Sequence, residues 1–518
     1  MNGADLVLST LKASGVDVCF ANPGTSEMHF VSALDRVEGI RPVLGLFEGV
    51  VTGAADGYGR MADKPAVTLL HLGPGFANGM ANLHNGRRAG SPVVNIVGDH
   101  ATYHRHLDAP LTSDIEGMAA TVSKWVRVAS RPEALATDVA DAVTASLDGP
   151  RGNATLILPA DIAWNDAQGQ VTAALPPQTR TASEAAVRAA AEALRGASKP
   201  VLYVGGRGLR RRGLEAAARV AAVTGARVVM PTFAGRLERG AGLVEAERLI
   251  YFGEMAQAQL IGTDLMVLVG VKPPVSFFAY PGKPSELDPE GVGRVTLATE
   301  GEDETEALEQ LADLLGAPRL AALERDPRKT LMRPEAPTGA LTIQTLGQAI
   351  AATLPEGAIV SDESATGGAA LYPLTAGCPP HDWLFLTGGS IGQGLPVAAG
   401  AAVACPDRKV VCVHGDGGAM YTLQALWTMA REKLDVVTVI IANRAYAILN
   451  VEMVRTGAPP GPKAAPLFDL TNPTLEWTAL ARGMGVEAFR ATTAEELVAA
   501  LRTAMATRGP VLIEAVIA

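Results

Sequence analysis

Residues 410–443 read VVCVHGDGGAMYTLQALWTMAREKLDVVTVIIAN, and the fold is decided by how this stretch is read. Residues 410–413 form a short β-branched apolar run, which predicts a buried parallel strand. Gly415, Asp416, Gly417 and Gly418 follow, then a helical pattern over about 419–431. A second apolar run, 436–441, ends at Asn443. Together they make a strand–helix–strand unit of the right-handed βαβ type. Asp416 and Asn443 then stand at the carboxyl ends of two parallel strands, where open α/β sheets bind ligands.

These residue types suit a diphosphate held through a metal. The glycines let backbone N–H groups approach phosphate oxygens, and a helix N-terminus behind them favours negative charge. An aspartate there repels phosphate unless a cation sits between. Asp416, the Asn443 side chain and a nearby carbonyl offer the hard oxygens that Mg²⁺ prefers. A lone GDG is also what an ordinary glycine turn looks like. The asparagine 27 residues further on, at the end of the next strand, makes the pattern far more specific.

The pattern resembles the GDG…N motif of thiamine diphosphate (ThDP) enzymes of the acetolactate synthase, pyruvate oxidase and benzoylformate decarboxylase group. The usual ending is NN, where this chain has Ala442-Asn443. The resemblance implies Asp416, Asn443 and the carbonyl of Ala445 as Mg²⁺ ligands, with Gly415, Gly417, Gly418 and Tyr446 against the cofactor.

Outward from this unit, the 518-residue chain has 48% hydrophobic and 19% charged residues and a net charge of −10. That is the profile of a globular enzyme of two to four domains, and no basic run points to nucleic acid. Four scattered cysteines make neither a disulfide framework nor a metal pattern, consistent with a reducing, cytoplasmic setting. The first 15 residues lack the charge and apolar core of a signal peptide. The uncharged stretch 383–406 reads as strand, glycine loop and buried helix rather than a membrane span. Stretches 165–183 and 325–339 are rich in proline and polar residues and read as linkers. The expected fold is α/β, with three doubly wound parallel-sheet domains: pyrimidine-binding over 1–165, central over 183–325 and diphosphate-binding over 340–518.

In the first block, Glu48 follows a strand predicted over 41–47. Taken alone, such a glutamate is usually a helix N-terminal charge. The run EGVVTGAADGYGR from Glu48 resembles the family's pyrimidine-domain motif. The resemblance implies that Glu48 hydrogen-bonds N1′ of the aminopyrimidine and so activates the thiazolium C2. Burial would raise its carboxyl pKa and a helix N-terminus would lower it. His71 ends a strand predicted over 66–71; benzoylformate decarboxylase carries a histidine there, whereas acetolactate synthases usually carry Ser or Thr. His71 is therefore read as a proton carrier, the alternative being a histidine bonded into its turn. Gly24, Thr25 and Asn78 are assigned to the cofactor. His100, His104 and His106 lie close in sequence, but gaps of four and two residues are poor zinc spacing, and a substrate-entrance loop is the preferred reading.

In the middle block, FAD-binding relatives carry GMHG-like and DDR-like patterns. This chain has Ala234-Gly235-Arg236 and the run 271–278 instead, so FAD is not expected. The histidine that benzoylformate decarboxylase places near Phe277 is missing. In the third block, TGGSIGQGLP (387–396) resembles the cofactor-centre motif. It implies that the Gly389 carbonyl receives the 4′-amino group and that Ile391 wedges ThDP into its V shape. Thr366 is assigned to the diphosphate. Thr25, His71, Phe277, Phe278, Ile448 and Leu449 are assigned to a substrate pocket that favours small 2-oxo acids.

The expected activity is ThDP- and Mg²⁺-dependent C–C lyase or ligase chemistry on 2-oxo acids, acetolactate synthase-like, in a homodimer or homotetramer with active sites between subunits and no membrane or nucleic-acid partner. A benzoylformate-type decarboxylase, an oxalyl-CoA-type lyase and a non-catalytic subunit remain as alternatives.

Overall fold

The computed structural model describes residues 1–167, 169–322 and 332–517. Three sheets organise the chain. The first contains β1 (Val18–Asn22), β2 (Arg41–Leu44), β3 (Ala66–Leu70), β4 (Val93–Asp99), β5 (Trp125–Val128) and β6 (Asn153–Pro159), in the order β2-β1-β3-β4-β6-β5. The second contains β7 (Pro200–Val204), β8 (Arg227–Met230), β10 (Glu247–Arg248), β11 (Leu265–Val269) and β12 (Gly293–Ala298), in the order β10-β8-β7-β11-β12; β9 (Leu237–Arg239) lies elsewhere. The third runs β17-β18-β16-β15-β13-β14-β9. Its strands are β13 (Ile359–Glu363), β14 (His381–Phe385), β15 (Val410–Gly415), β16 (Val436–Ala442), β17 (Glu487–Ala491) and β18 (Val511–Val516), joined by β9.

Strand pairs are parallel in all three sheets except β9 with β14. The near-continuous apolar runs explain this, because parallel sheets are covered on both faces. β16, VVTVIIA, is buried at every position. The antiparallel edge departs from the expected sheets: Leu237–Arg239 leaves the middle block and caps the third sheet, with Trp383 opposite Leu237.

The predicted helix over 419–431 is a second departure. The chain forms a short helix at Asp416–Ala419, turns, and starts again at Ala425–Glu432. The Thr422 hydroxyl donates to the Gly392 carbonyl at 2.8 Å, so the turn is tied to another loop. The expected linker over 165–183 has no helix or regular strand among its described residues. Part of the one over 325–339 lies outside the described residues.

The blocks share cores. The helix Glu48–Ala62 packs against Gly394–Ala404 through small residues. A Cβ on Gly57 would stand 2.1 Å from the Val397 carbonyl oxygen, and one on Gly400 1.8 Å from that of Ala54. Only glycine permits this approach. No helix among the described residues is long and apolar enough to cross a membrane.

Candidate active site

In the first sheet the chain leaves β1 to one side for β2 and returns on the other side as β3. The crevice at such a switch point is where doubly wound sheets hold ligands. Asn22 and Leu70 are register partners, so the loops after them meet. Glu27, on the first loop, is buried. Its Oε2 accepts from Gly24 N at 2.8 Å and its Oε1 from the Ser26 hydroxyl at 2.6 Å. His71 Nδ1 lies 2.9 Å from Glu27 Oε2. A carboxylate only accepts, so Nδ1 donates and Nε2 is left with the lone pair. Gly24 packs on the imidazole: a Cβ there would lie 2.2 Å from the ring.

β2 ends at Leu44, three residues short of the expected strand end, and Glu48 opens the helix that follows. Its side chain is buried, and Oε2 accepts from Asn78 Nδ2 at 3.0 Å. A Cβ on Gly75 would lie 3.1 Å from Glu48 Oε1 and 3.2 Å from His71 Cβ. Glu48, His71, Asn78 and Gly24 are therefore one cluster. Thr25 is exposed beside it.

In the third sheet the switch point falls between β13 and β15. Asp416 follows β15, and Asn443 follows β16. Asp416 Oδ1 accepts from Gly417 N at 2.9 Å, and Oδ2 from Arg444 N at 2.7 Å. Burial pushes its carboxyl pKa up, while the Arg444 and Gly417 amides pull it down. Asn443 Oδ1 accepts from Ala445 N at 3.1 Å. Arg444, between them, has a φ of +56°. This left-handed turn is uncommon for a residue other than glycine and is held by its contact with Asp416. Tyr446 closes over Gly417, where a Cβ would lie 2.4 Å from its ring.

The donor set fits the implied metal. A buried carboxylate keeps free lone pairs beside an amide oxygen and the Ala445 backbone, all hard oxygen ligands suited to Mg²⁺. No trio of His, Cys, Asp or Glu side chains among the described residues is placed to hold a metal. This includes His100, His104 and His106, of which His100 and His104 pack ring against ring at 5.4 Å.

The loop 387–393 leans on the helix Leu72–Ala89. Asn85 Nδ2 donates to the Ser390 carbonyl at 2.8 Å, and the Thr387 hydroxyl donates to the Asn85 carbonyl at 2.7 Å. Gly389 has a φ of +76° and packs under Phe277, whose Cζ would lie 2.3 Å from a Cβ there. Ile391 is half-buried in the same loop, and Thr366 lies in the turn after β13. Phe277 and Phe278 belong to an aromatic cluster with Phe233, Tyr251 and Tyr280. Ile448 and Leu449 lie on Ala447–Arg455, a helix with no buried residue. Arg455 pins that helix to the aromatic cluster: it stacks over Phe252 at 4.3 Å and pairs with Glu254 at 2.7 Å. In the second sheet, the Glu304 side chain fills the space between Gly206 and Gly270 at the ends of β7 and β11.

Sequence reasoning missed Glu27, Glu363 and His414. Glu27 stands five residues past the end of β1 and two past Thr25, which the sequence reading assigns to the cofactor. His414 directly precedes the GDG and could have been flagged as a polar residue inside an apolar strand.

Two family profiles match the chain: the N-terminal TPP binding domain of thiamine pyrophosphate enzymes over residues 1–120 and the C-terminal TPP binding domain over residues 367–515. A Mycobacterium tuberculosis (strain H37Rv) protein provisionally named acetolactate synthase large subunit IlvX is 53% identical over 100% of this chain and 99% of its own length. Benzoylformate decarboxylase of Pseudomonas aeruginosa is 31% identical over 97% of this chain and 96% of its own length. The solved thiamine diphosphate-dependent 4-hydroxybenzoylformate decarboxylase of Rhodococcus jostii RHA1 superposes with a TM-score of 0.87 at 25% identity, covering 99% of this chain and 98% of that one. With both cofactor-binding halves matched and full-length relatives above 30% identity, the chain belongs to the thiamine pyrophosphate (ThDP) enzyme family.

Proposed function

We propose that this chain is a ThDP- and Mg²⁺-dependent enzyme that cleaves the C1–C2 bond of a 2-oxo acid. The observation that carries the reading is the first-sheet cluster, where buried Glu48, held by Asn78, lies beside His71, held by Glu27. ThDP, when bound, supplies the nucleophilic carbon and the electron sink. Asp416, Asn443 and the Ala445 carbonyl would hold the Mg²⁺ and, through it, the diphosphate. The Gly389 carbonyl and Ile391 would receive and bend the cofactor, and Thr366 would meet the diphosphate. Glu48 would hold the proton at N1′ of the aminopyrimidine. His71 Nε2 would handle the proton that replaces CO₂ at the former carbonyl carbon. Phe277, Phe278, Ile448, Leu449 and Thr25 would line the donor pocket.

A second outcome is addition to another carbonyl, giving carboligation. The full-length relative named as an acetolactate synthase favours it. The reading takes residues 1–165, 183–325 and 340–518 as three domains and a homodimer or homotetramer as the working assembly, with Glu48 of one copy facing the Asp416 side of another. It places the enzyme in a reducing cytoplasm, which suits four free cysteines, three of them buried. Purified protein with ThDP and Mg²⁺ should release CO₂ from at least one of pyruvate, 2-oxobutyrate and benzoylformate. Glu48→Gln should abolish that release. Bound ThDP with no turnover of any of the three would sink the 2-oxo acid reading.

A further inference from the structure

The loop that carries Ile391 and the loop that carries Asp416 are joined from beneath by two buried side chains. Glu363, the last residue of β13, is 5% exposed, and His414, on β15, is 0% exposed. They are register partners across the two strands that bound the switch point. The Glu363 carboxylate accepts three backbone N–H bonds from consecutive residues: Gly392 at 2.6 Å, Gln393 at 2.7 Å and Gly394 at 2.6 Å. The Gly394 amide opens the helix Gly394–Ala404, and no earlier turn of that helix can satisfy it. An anion under three amides is a strong, charge-assisted grip.

His414 completes the link on the other side. Its Nδ1 lies 3.0 Å from the Gly415 carbonyl oxygen. Its Nε2 lies 3.2 Å from Glu363 Oε2, within ion-pair reach though off the line of a hydrogen bond. The ring is sandwiched between the two loops. A Cβ on Gly394 would lie 2.7 Å from His414 Cδ2, and one on Gly418 3.0 Å from His414 Cε1 and 3.1 Å from Glu363 Oε1. An apolar filler would stabilise a core at least as well as a buried charged pair. An apolar filler could not satisfy the three amides.

We propose that Glu363 and His414 are positioning residues that set the register of the Ile391 loop against the Asp416 loop. The inference rests on those loops being the two jaws that hold ThDP. Glu363→Gln offers one acceptor oxygen where two are used, and its amide group faces N–H groups. Moving the Ile391 loop would change how the cofactor is bent without touching a group that reacts.

The test compares wild type, Glu363→Gln, Glu363→Asp and His414→Asn. It reads melting temperature, amide exchange of residues 391–394 without cofactor, Mg²⁺-dependent ThDP affinity, and the C2–H exchange rate of ThDP at saturation. Glu363→Gln should speed loop exchange, weaken ThDP by about tenfold or more and slow C2–H exchange by a similar factor, with Glu363→Asp recovering part of each. A lowered melting temperature with loop exchange and saturated C2–H exchange at wild-type values would overturn the proposal. If Glu363→Gln does not fold, His414→Asn decides by the same readouts. If wild type itself binds no ThDP, the cofactor reading fails, and loop exchange in the cofactor-free variants still decides the coupling.

Discussion

Nδ1 of His71 lies 2.9 Å from Oε2 of Glu27, across the gap between the ends of β1 and β3. Glu27 is itself fixed by Gly24 N and Ser26 Oγ, so the imidazole inherits a rigid orientation. Replacing His71 with Ala should lower kcat by about 10²- to 10⁴-fold, the usual range for losing a general acid or base. Glu27→Gln, whose amide oxygen can still accept from Nδ1, should cost less, and Glu27→Leu, which cannot accept, should cost more than Glu27→Gln. A Glu27→Leu enzyme with wild-type kcat would show that the pair only supports the turn.

Glu48 and Asn78 make a separable prediction. Asn78 Nδ2 donates to the carboxylate at 3.0 Å. Glu48→Gln should keep ThDP bound but slow C2–H exchange by about 10²-fold or more, since the amide cannot take the proton. Asn78→Ala should give an intermediate rate. Wild-type exchange in Glu48→Gln, followed by quenched-flow NMR, would remove Glu48 from the mechanism.

Asp416 bears on metal dependence. It is buried, with Arg444 N at 2.7 Å from Oδ2. Chelator treatment followed by gel filtration should strip ThDP from the wild type, and Mg²⁺ should restore it. Asp416→Ala should not retain ThDP at any Mg²⁺ concentration at which the wild type is saturated, because hard oxygen ligands are few at this site. Retention measured by cofactor fluorescence would test both arms.

Much of this arrangement is readable in the chain itself. The apolar runs of β15 and β16 and the glycines between them locate the third sheet's crevice, and the run from Glu48 locates the first. What stays hidden depends on long-range pairing. Glu27 and His71 are 44 residues apart, and only the strand order β2-β1-β3 brings them together. Glu363 looks like one more strand-end acid until the register places it opposite His414. The helix expected over 419–431 fails for a similar reason, since the Thr422–Gly392 hydrogen bond belongs to tertiary structure. β9 is a short polar-ended segment with no alternation to mark it, and its partner β14 lies in another block.

The Arg60–Asp56 pair predicts a large effect on stability. The side chains are 2% and 1% exposed and meet at 2.6 Å. Arg60 also donates to the carbonyls of Phe385 at 2.8 Å and Gly235 at 3.2 Å, so one guanidinium ties all three blocks together. Removing it strands Asp56 as a buried charge. Arg60→Met should cost about 3–5 kcal/mol in denaturant unfolding. A loss under about 1 kcal/mol would mean that solvent reaches the site.

Glu304 sets a pH dependence of stability. It opens the helix Glu304–Leu314, and its side chain fills the space between Gly206 and Gly270. Burial pushes its carboxyl up from 4.5 to about 7, against the opposing pull of nearby backbone N–H groups and Arg207. The folded state therefore binds the proton more tightly than the unfolded chain. The stability that this proton contributes is fully present below the unfolded value near 4.5 and is lost as pH rises through about 7. Glu304→Gln, which mimics the protonated side chain, should match the wild type near pH 4.5 and exceed it above pH 7, by at most about 3 kcal/mol. Thermal unfolding of both proteins across that range measures the difference. A gap that stays constant with pH would show that Glu304 is ionised throughout and acts by packing alone.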